Sequence, residues 1–109
     1  MLIVLIGLSG ALAVAAGAFA AHGASSEAAE WLKTGAFYQL IHTVAALATA
    51  EHAGGKGVAT LFLVGGAIFA LTLYAMAFGA PRWLGAVTPI GGSLMILGWL
   101  WLAWLAFRG

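Results

Sequence analysis

Six polar side chains stand out in this sequence because almost everything around them is apolar. Two of them are histidines, which can bind a proton or a metal ion, and the others carry hydroxyl or amide groups that donate and accept hydrogen bonds. The six are His22, Tyr38, Gln39, His42, Tyr74 and Thr88. Their chemistry would suit a small polar pocket, a proton-binding site or a two-histidine metal or haem site.

Other chemistry is not indicated. The chain has no cysteine, which excludes disulfides and thiolate metal sites, and structural metal sites usually need about four ligands. Its carboxylates, Glu27, Glu30 and Glu51, fall outside the apolar runs, so no nucleophile, base and orienting acid can be assembled. A net charge of +1 provides no basic patch for phosphates. We therefore expect no enzyme, no resident cofactor and no nucleic-acid partner.

The elements that must position these side chains are membrane-spanning helices. Hydrophobic residues make up 64% of the chain and charged residues 6%, against about 45 to 50% and about 25% in soluble domains. Four runs of 21, 17, 25 and 25 residues carry no acidic or basic residue: 1–21, 34–50, 57–81 and 83–107. A bilayer core needs about 20 apolar residues. The sequence predicts an all-α, polytopic protein of the cell (inner or plasma) membrane, with residues 1–109 forming one bundle of four transmembrane helices.

Start and stop signals predict helices over about 2–21, 26–50 and 57–78, and a fourth that ends near 107. Ser25-Ser26 offers an N-cap for the second helix, and Gly79-Ala80-Pro81 ends the third. The fourth helix has two interpretations. Either it begins near residue 84 and kinks at Pro89, or Thr88 caps a helix whose first residue is Pro89. We favour the second.

The sequence specifies the orientation of the chain in the membrane only weakly. Ala18-Phe19-Ala20 would fit a signal-peptide cleavage site, but no Lys or Arg precedes the first apolar run, so we treat that run as a helix. Lys56 and Arg108 lie on one predicted face of the membrane, and Lys33 and Arg82 on the other, which ties the positive-inside count. The terminal amine favours cytoplasmic termini.

The second helix carries most of the polar residues. Its apolar face must meet lipid: Phe37, Leu40, Ile41, Val44 and Leu47. Its other face should look into the bundle: Gly35, Tyr38, Gln39, His42, Ala45, Ala46 and Thr49. An ionisable residue near the middle of the membrane, such as His42, is a candidate functional residue because a charge is costly there. The alternative is a structural imidazole that bonds Gln39, Thr43 or a hydroxyl on a neighbouring helix. All six polar residues are expected to converge on the Lys33 half of the bundle.

Small residues on the other helices predict close helix packing. The first helix has such a stripe: Gly7, Gly10, Ala11, Val14, Gly17, Ala18 and Ala21. The fourth has another: Gly85, Thr88, Gly92, Met95 and Trp99. Gly65 and Ser9 lie beside the main stripes, and we expect this remaining small-residue surface to support self-association.

Several strings of the chain resemble the domain of unknown function 423, a family of YgdD- and YwdK-like small membrane proteins related to animal transmembrane protein 256. They are GAFAAHG at 17–23, YQLIH at 38–42, LY at 73–74, TPIGG at 88–92 and GW at 98–99. The resemblance implies a multi-span membrane protein without an established activity. The family usually has glycine at position 20, and a Ser/Gly-rich approach to Tyr74 where this chain has Ala70-Leu71-Thr72. These departures suggest looser helix packing and the loss of a hydroxyl.

Three functions remain open at this point. We rank first a structural, interaction or accessory membrane subunit whose partners are lipid and either a second copy or another membrane protein. The alternative is a transporter or channel that uses a polar pocket around His42, although no span contains a carboxylate. A metal or haem site at His22 and His42 comes third.

Overall fold

The computed structural model describes all 109 residues, and its regular structure is entirely helical. The helices are α1 (Leu2–His22), α2 (Ser26–Thr49), α3 (Gly55–Ala77), a short 3₁₀ helix (Arg82–Ala86) and α4 (Thr88–Arg108). Three helical segments are long and apolar enough to cross a membrane: Leu2–His22, Gly55–Ala77 and Arg82–Arg108. By the same measure α2 falls short, because its first turns carry charges and its buried face is polar.

Local signals explain where the helices begin and end. The Ser25 hydroxyl accepts a hydrogen bond from the Ala28 N–H at 3.4 Å, which caps α2. Gly54 has a φ of 75°, a left-handed conformation that glycine adopts without steric cost. That turn lets α3 begin at Gly55, two residues before the predicted start.

The 3₁₀ helix separates α3 from α4, and α4 begins at Thr88 and continues through Pro89 to Arg108. Pro89 lies in the first turn of α4, where a missing N–H costs nothing. The Thr88 hydroxyl, however, does not cap the helix. It contacts the Leu84 carbonyl and the Thr72 hydroxyl instead, because the 3₁₀ helix brings both within reach.

The four helices pack in chain order, each antiparallel to the next. Extensive contacts join α1 to α2, α2 to α3 and α3 to α4, but none joins α1 to α4. The predicted bundle is therefore open along one edge. Two apolar clusters form the core, one around Phe62 near the 51–54 turn and one around Leu32 and Ala70 near the opposite end.

The predicted small-residue stripes are rotated relative to the observed contacts. In α1 the buried residues are Ile6, Ala13, Ala16 and Ala20. Of the predicted stripe, Gly10 and Gly17 approach α2, whereas Gly7, Ala11, Val14 and Ala18 are exposed. In α4 the buried residues are Thr88, Gly91, Met95 and Gly98, while Trp99 is 44% exposed. Small residues occur on several faces of both helices, so spacing alone does not select the packed face.

Two helices approach each other closely at Gly65 of α3 and Gly91 of α4. A Cβ added at Gly91 would collide with the backbone of Phe69 and would lie 2.5 Å from the Gly65 carbonyl oxygen. A Cβ at Gly65 would lie 2.8 Å from the Gly91 carbonyl oxygen. Gly65 is thus used inside the protomer, which contradicts the expectation that it remains free for self-association.

We expect Gly91→Ala to destabilise the fold by about 1 to 3 kcal/mol, because backbone atoms cannot yield to the added methyl group as a side chain could. Gly92→Ala is the matched control, since a Cβ there would meet only the Phe69 ring, at 3.8 Å. Thermal unfolding in the same detergent measures both variants. Equal melting temperatures for the two variants would contradict this account of the contact.

Candidate functional site

The central helix α2 presents one side to its neighbours and the other to the surroundings. The five residues predicted to meet lipid are each 40 to 60% exposed. The buried side comprises Leu32, Gly35, Ala36, Gln39, His42, Thr43, Ala45, Ala46 and Thr49. Tyr38 departs from the prediction, because it is 41% exposed at the edge of this side.

A closed ring of hydrogen bonds surrounds Gln39. Its side-chain Nε2 donates to the Ser9 hydroxyl at 3.2 Å, and the Thr43 hydroxyl donates to the Gln39 backbone carbonyl at 2.7 Å. Since a hydroxyl has one proton and that of Thr43 is engaged, Ser9 donates to Thr43 across their 2.7 Å contact. The Tyr74 hydroxyl donates to Gln39 Oε1 at 2.7 Å. This network joins α1, α2 and α3.

His42 has different partners from those predicted. Its Nδ1 lies 2.8 Å from the backbone carbonyl oxygen of Tyr38, and its Nε2 lies 2.9 Å from the indole Nε1 of Trp99. A carbonyl only accepts and an indole N–H only donates, so Nδ1 carries the proton and Nε2 accepts. Neither Gln39 nor Thr88 bonds the imidazole, because they face other helices.

Aromatic rings enclose the imidazole. The Phe62 ring meets it edge-on at 5.5 Å between centroids, and the Trp99 ring at 5.8 Å. Phe62 is fully buried and His42 is 6% exposed. An apolar enclosure of this kind strengthens the two hydrogen bonds by excluding competing donors and acceptors.

The six predicted site residues do not form one pocket. Gln39 and Tyr74 belong to the ring toward α1, His42 faces Trp99 of α4, and Thr88 bonds Thr72 at 2.6 Å. The hydroxyl of Tyr38 makes no hydrogen bond within the chain, while its ring packs on Phe69 at 4.9 Å between centroids. His22 is exposed at the end of α1 and contributes no side-chain hydrogen bond.

The separation has a geometric cause. Gln39 and His42 are three residues apart, about 60° around the helix, and α1 and α4 pack on different flanks of α2 and α3. Gln39 and His42 therefore meet different neighbours. Thr72 lies in the stretch where the family resemblance implied the loss of a hydroxyl, and its own hydroxyl bonds Thr88.

Two grooves accompany these networks. One, of about 350 Å³, lies beside His42 and is lined mainly by aromatic and apolar side chains, including Tyr38, Phe69 and Trp99. The other, of about 310 Å³, lies beside Gln39 and Ser9 and is lined mostly by leucines. The two grooves share no lining residue, so they do not form one continuous polar path through the chain.

The arrangement is suited to holding helices together. No buried side-chain nitrogen or oxygen lacks a hydrogen-bond partner. No group of three or more His, Asp or Glu residues is placed to hold a metal ion, and both His42 nitrogens are engaged by the protein itself.

Sequence reasoning missed three partners in these networks. It assigned Ser9 to a free surface, treated Trp99 as part of a packing stripe and gave Thr72 no role. Trp99 could have been found by its indole N–H, since a buried or membrane-embedded donor requires an acceptor. Ser9 is a hydroxyl residue in a run that is otherwise apolar, which is the corresponding signal.

Comparison with known proteins identifies the family. The family model described as "Protein of unknown function (DUF423)" matches residues 16–92. A UPF0382 membrane protein of Haemophilus influenzae is 41% identical and covers 95% of this chain and 91% of its own. The corresponding values are 36%, 97% and 96% for a UPF0382 membrane protein of Staphylococcus saprophyticus, and 34%, 90% and 82% for the inner membrane protein YgdD of Escherichia coli. No solved structure matches.

These relatives span nearly the whole chain, and three helical segments of the structure are apolar and long enough to cross a bilayer. Both findings agree on a multi-pass protein of the cell membrane. The match to the family model runs from the later half of α1 to the start of α4. It includes every member of the Gln39 network except Ser9. The chain therefore belongs to the DUF423 family of small membrane proteins of unknown function.

Proposed function

We propose that this chain is a structural or accessory subunit of the membrane, without enzymatic activity, that crosses the bilayer four times and self-associates through α1. The observation that carries the proposal is the complete internal pairing of the buried polar groups, including both nitrogens of His42. Groups that are paired with each other fix helix positions, and this pairing leaves no buried side-chain donor or acceptor unsatisfied.

The fourth span in this proposal is α2. Its hydropathy is lowered by Gln39, His42, Thr43 and Thr49, which are all buried against neighbouring helices. Beyond its charged first turns, the exposed side of α2 consists mainly of large apolar residues such as Phe37 and Val44. In a bilayer only the exposed side meets lipid, so paired polar residues on the buried side do not prevent insertion.

Four spans place residue 26 on one side of the membrane and residues 53 and 109 on the other. Because the chain has no cysteine, the variants Ser26→Cys, Ala53→Cys and Gly109→Cys can be labelled one at a time with a membrane-impermeant maleimide. Gly55 is unsuitable, since a Cβ there would collide with the Thr49 carbonyl oxygen. We expect Ala53→Cys and Gly109→Cys to react from the same side, and Ser26→Cys only from the other. Labelling of Ser26→Cys and Gly109→Cys from one side would contradict four spans.

Transport is the second candidate function, because the groove of about 350 Å³ reaches His42. A metal or haem site has less support, since His22 is exposed at the end of α1 and takes no part in the His42 contacts. The structural and transport proposals differ in whether the imidazole proton must move.

His42→Gln separates these two proposals. A glutamine amide both donates and accepts, so it can replace the bonds to Tyr38 and Trp99, but it cannot titrate. We expect His42→Gln to fold and assemble nearly as the wild type, and His42→Ala to lose about 1 to 3 kcal/mol of stability because the Trp99 donor loses its acceptor.

Two measurements check this prediction. Thermal unfolding compares the stabilities, and a pH-sensitive dye inside proteoliposomes records proton flux under an imposed pH gradient. Empty liposomes supply the background rate. Proton flux by the wild type that disappears in a stable His42→Gln variant would favour transport and overturn the structural proposal.

Self-association is proposed to use the exposed small residues of α1. Ser9 and Gly65, the residues first expected to serve it, are occupied inside the protomer. Gly7, Ala11 and Ala18 instead form an exposed row spaced by four and seven residues, and a Cβ on Gly7 would meet no atom within 4 Å. Such a row permits close approach of another helix backbone, whereas the exposed side of α4 carries large residues such as Leu100 and Trp104.

Ala11→Leu should weaken self-association by holding a second helix away, without disturbing the protomer. Ala48→Leu is the matched control, because Ala48 is also exposed in a helix but lies on α2. Native mass spectrometry from nanodiscs should show multiples of the 11.1 kDa chain for the wild type and for Ala48→Leu, and mainly single chains for Ala11→Leu. A wild-type protein that remains monomeric at every concentration would overturn the proposal.

A further inference from the structure

The two ends of the molecule differ in how their charges are used. At the end that contains the 3₁₀ helix, Arg82 forms a bidentate ion pair with Glu27, at 2.7 and 2.9 Å, and Lys33 lies 3.6 Å from Glu30. All four charged side chains of that end are therefore paired. At the opposite end, Lys56 and Arg108 form no ion pair. The only acidic side chain at that end is Glu51, in the turn between α2 and α3. We call this second region the Lys56 end.

A polar cavity opens at the Lys56 end. It has a volume of about 410 Å³, follows the turn between α2 and α3, and is lined by residues that include Glu51, His52, Lys56 and Gly57. The side chains of Glu51, His52 and Lys56 are exposed and make no hydrogen bond within the chain. The cavity thus offers an unpaired ammonium group beside an imidazole, and it also contains the unpaired carboxylate of Glu51.

An apolar cavity adjoins the polar one and points along α4. It has a volume of about 290 Å³, shares His52 with the polar cavity, and is otherwise lined by Ala53, Gly55, Leu102, Leu105 and Ala106. The Trp101 ring lies against Gly57, and the Arg108 guanidinium stacks over the Trp104 ring at 4.6 Å. Tryptophan and arginine in this arrangement are typical of the membrane surface.

We propose that the Lys56 end binds an anionic phospholipid, with the lipid phosphate at Lys56 and one acyl chain along Leu102 and Leu105. The argument is complementarity of both charge and polarity. A phosphodiester matches the unpaired cations, and an acyl chain matches the apolar cavity that begins at His52. The paired end of the molecule offers no equivalent cation. This proposal is independent of self-association, because lipid retention is counted per chain.

The test compares retention of phosphatidylglycerol with that of phosphatidylethanolamine. The protein is reconstituted in vesicles of the two lipids at equal amounts, released into a mild detergent, and weighed by native mass spectrometry. We expect wild type to retain phosphatidylglycerol preferentially, and each of Lys56→Gln and Arg108→Gln to lower that preference about fivefold, the effect of one basic residue near an anionic surface.

Lys33→Gln at the paired end is the matched control and should leave the preference unchanged. Lys56→Arg should restore it, which separates loss of charge from loss of folding, and circular dichroism of each variant checks the fold directly. The preference should also fall as salt is raised from low to high concentration. Equal retention of the two lipids by the wild type, or equal losses for Lys33→Gln and Lys56→Gln, would overturn the proposal.

Discussion

The amide of Gln39 is the constraint on which the rest of this structure depends. It is 3% exposed and lies in a helix surrounded by apolar residues, where an unpaired amide would cost several kcal/mol. Both hydrogen-bond partners of its side chain come from other helices. Ser9 and Tyr74 supply them, which fixes the rotation of α1 and α3 against α2. The small residues around the network follow from this requirement, because Gly35 and Gly66 let the backbones come close enough for short side chains to reach.

The same reasoning explains why the hydrogen bonds that hold the His42 side chain are separate from those of Gln39. An imidazole with a protonated Nδ1 needs one acceptor and one donor, and Tyr38 and Trp99 provide one each. The donor comes from α4, which Gln39 does not touch. Polar contacts thus position the two outer helices, α1 through Ser9, and α4 through Trp99 and Thr88. In a closed bundle, α1 and α4 would hold each other in position by packing together. Here they do not pack extensively on each other, so each is positioned by its contacts with α2 and α3.

The sequence is sufficient to predict some parts of this arrangement, for identifiable reasons. The exposed side of α2 was predictable because large apolar residues recur at helical spacing between positions 37 and 47, and the α2 start was predictable because Ser25 precedes it. The packed faces of α1 and α4 were not, since Gly7 and Gly10, or Gly91 and Gly92, are equally small and only the backbone distance tells them apart. The six polar residues were expected to converge in one pocket, but they bond different partners, because residues at similar heights in the helices still point toward different neighbours. Whether His42 has a function beyond structure stays a prediction.

Paired polar residues also explain why α2 is less apolar than the three segments that meet the criteria for a span. Hydropathy averages over all side chains, whereas the residues of α2 that are exposed between positions 37 and 47 are all large and apolar or aromatic. A helix between two others can therefore carry an amide, an imidazole and several hydroxyls at little cost, provided that each is bonded. The outer helices have no such protection on their exposed sides. This difference accounts for the near absence of polar residues from the exposed side of α1 and for their concentration in the central helix, where neighbours are available to pair with them.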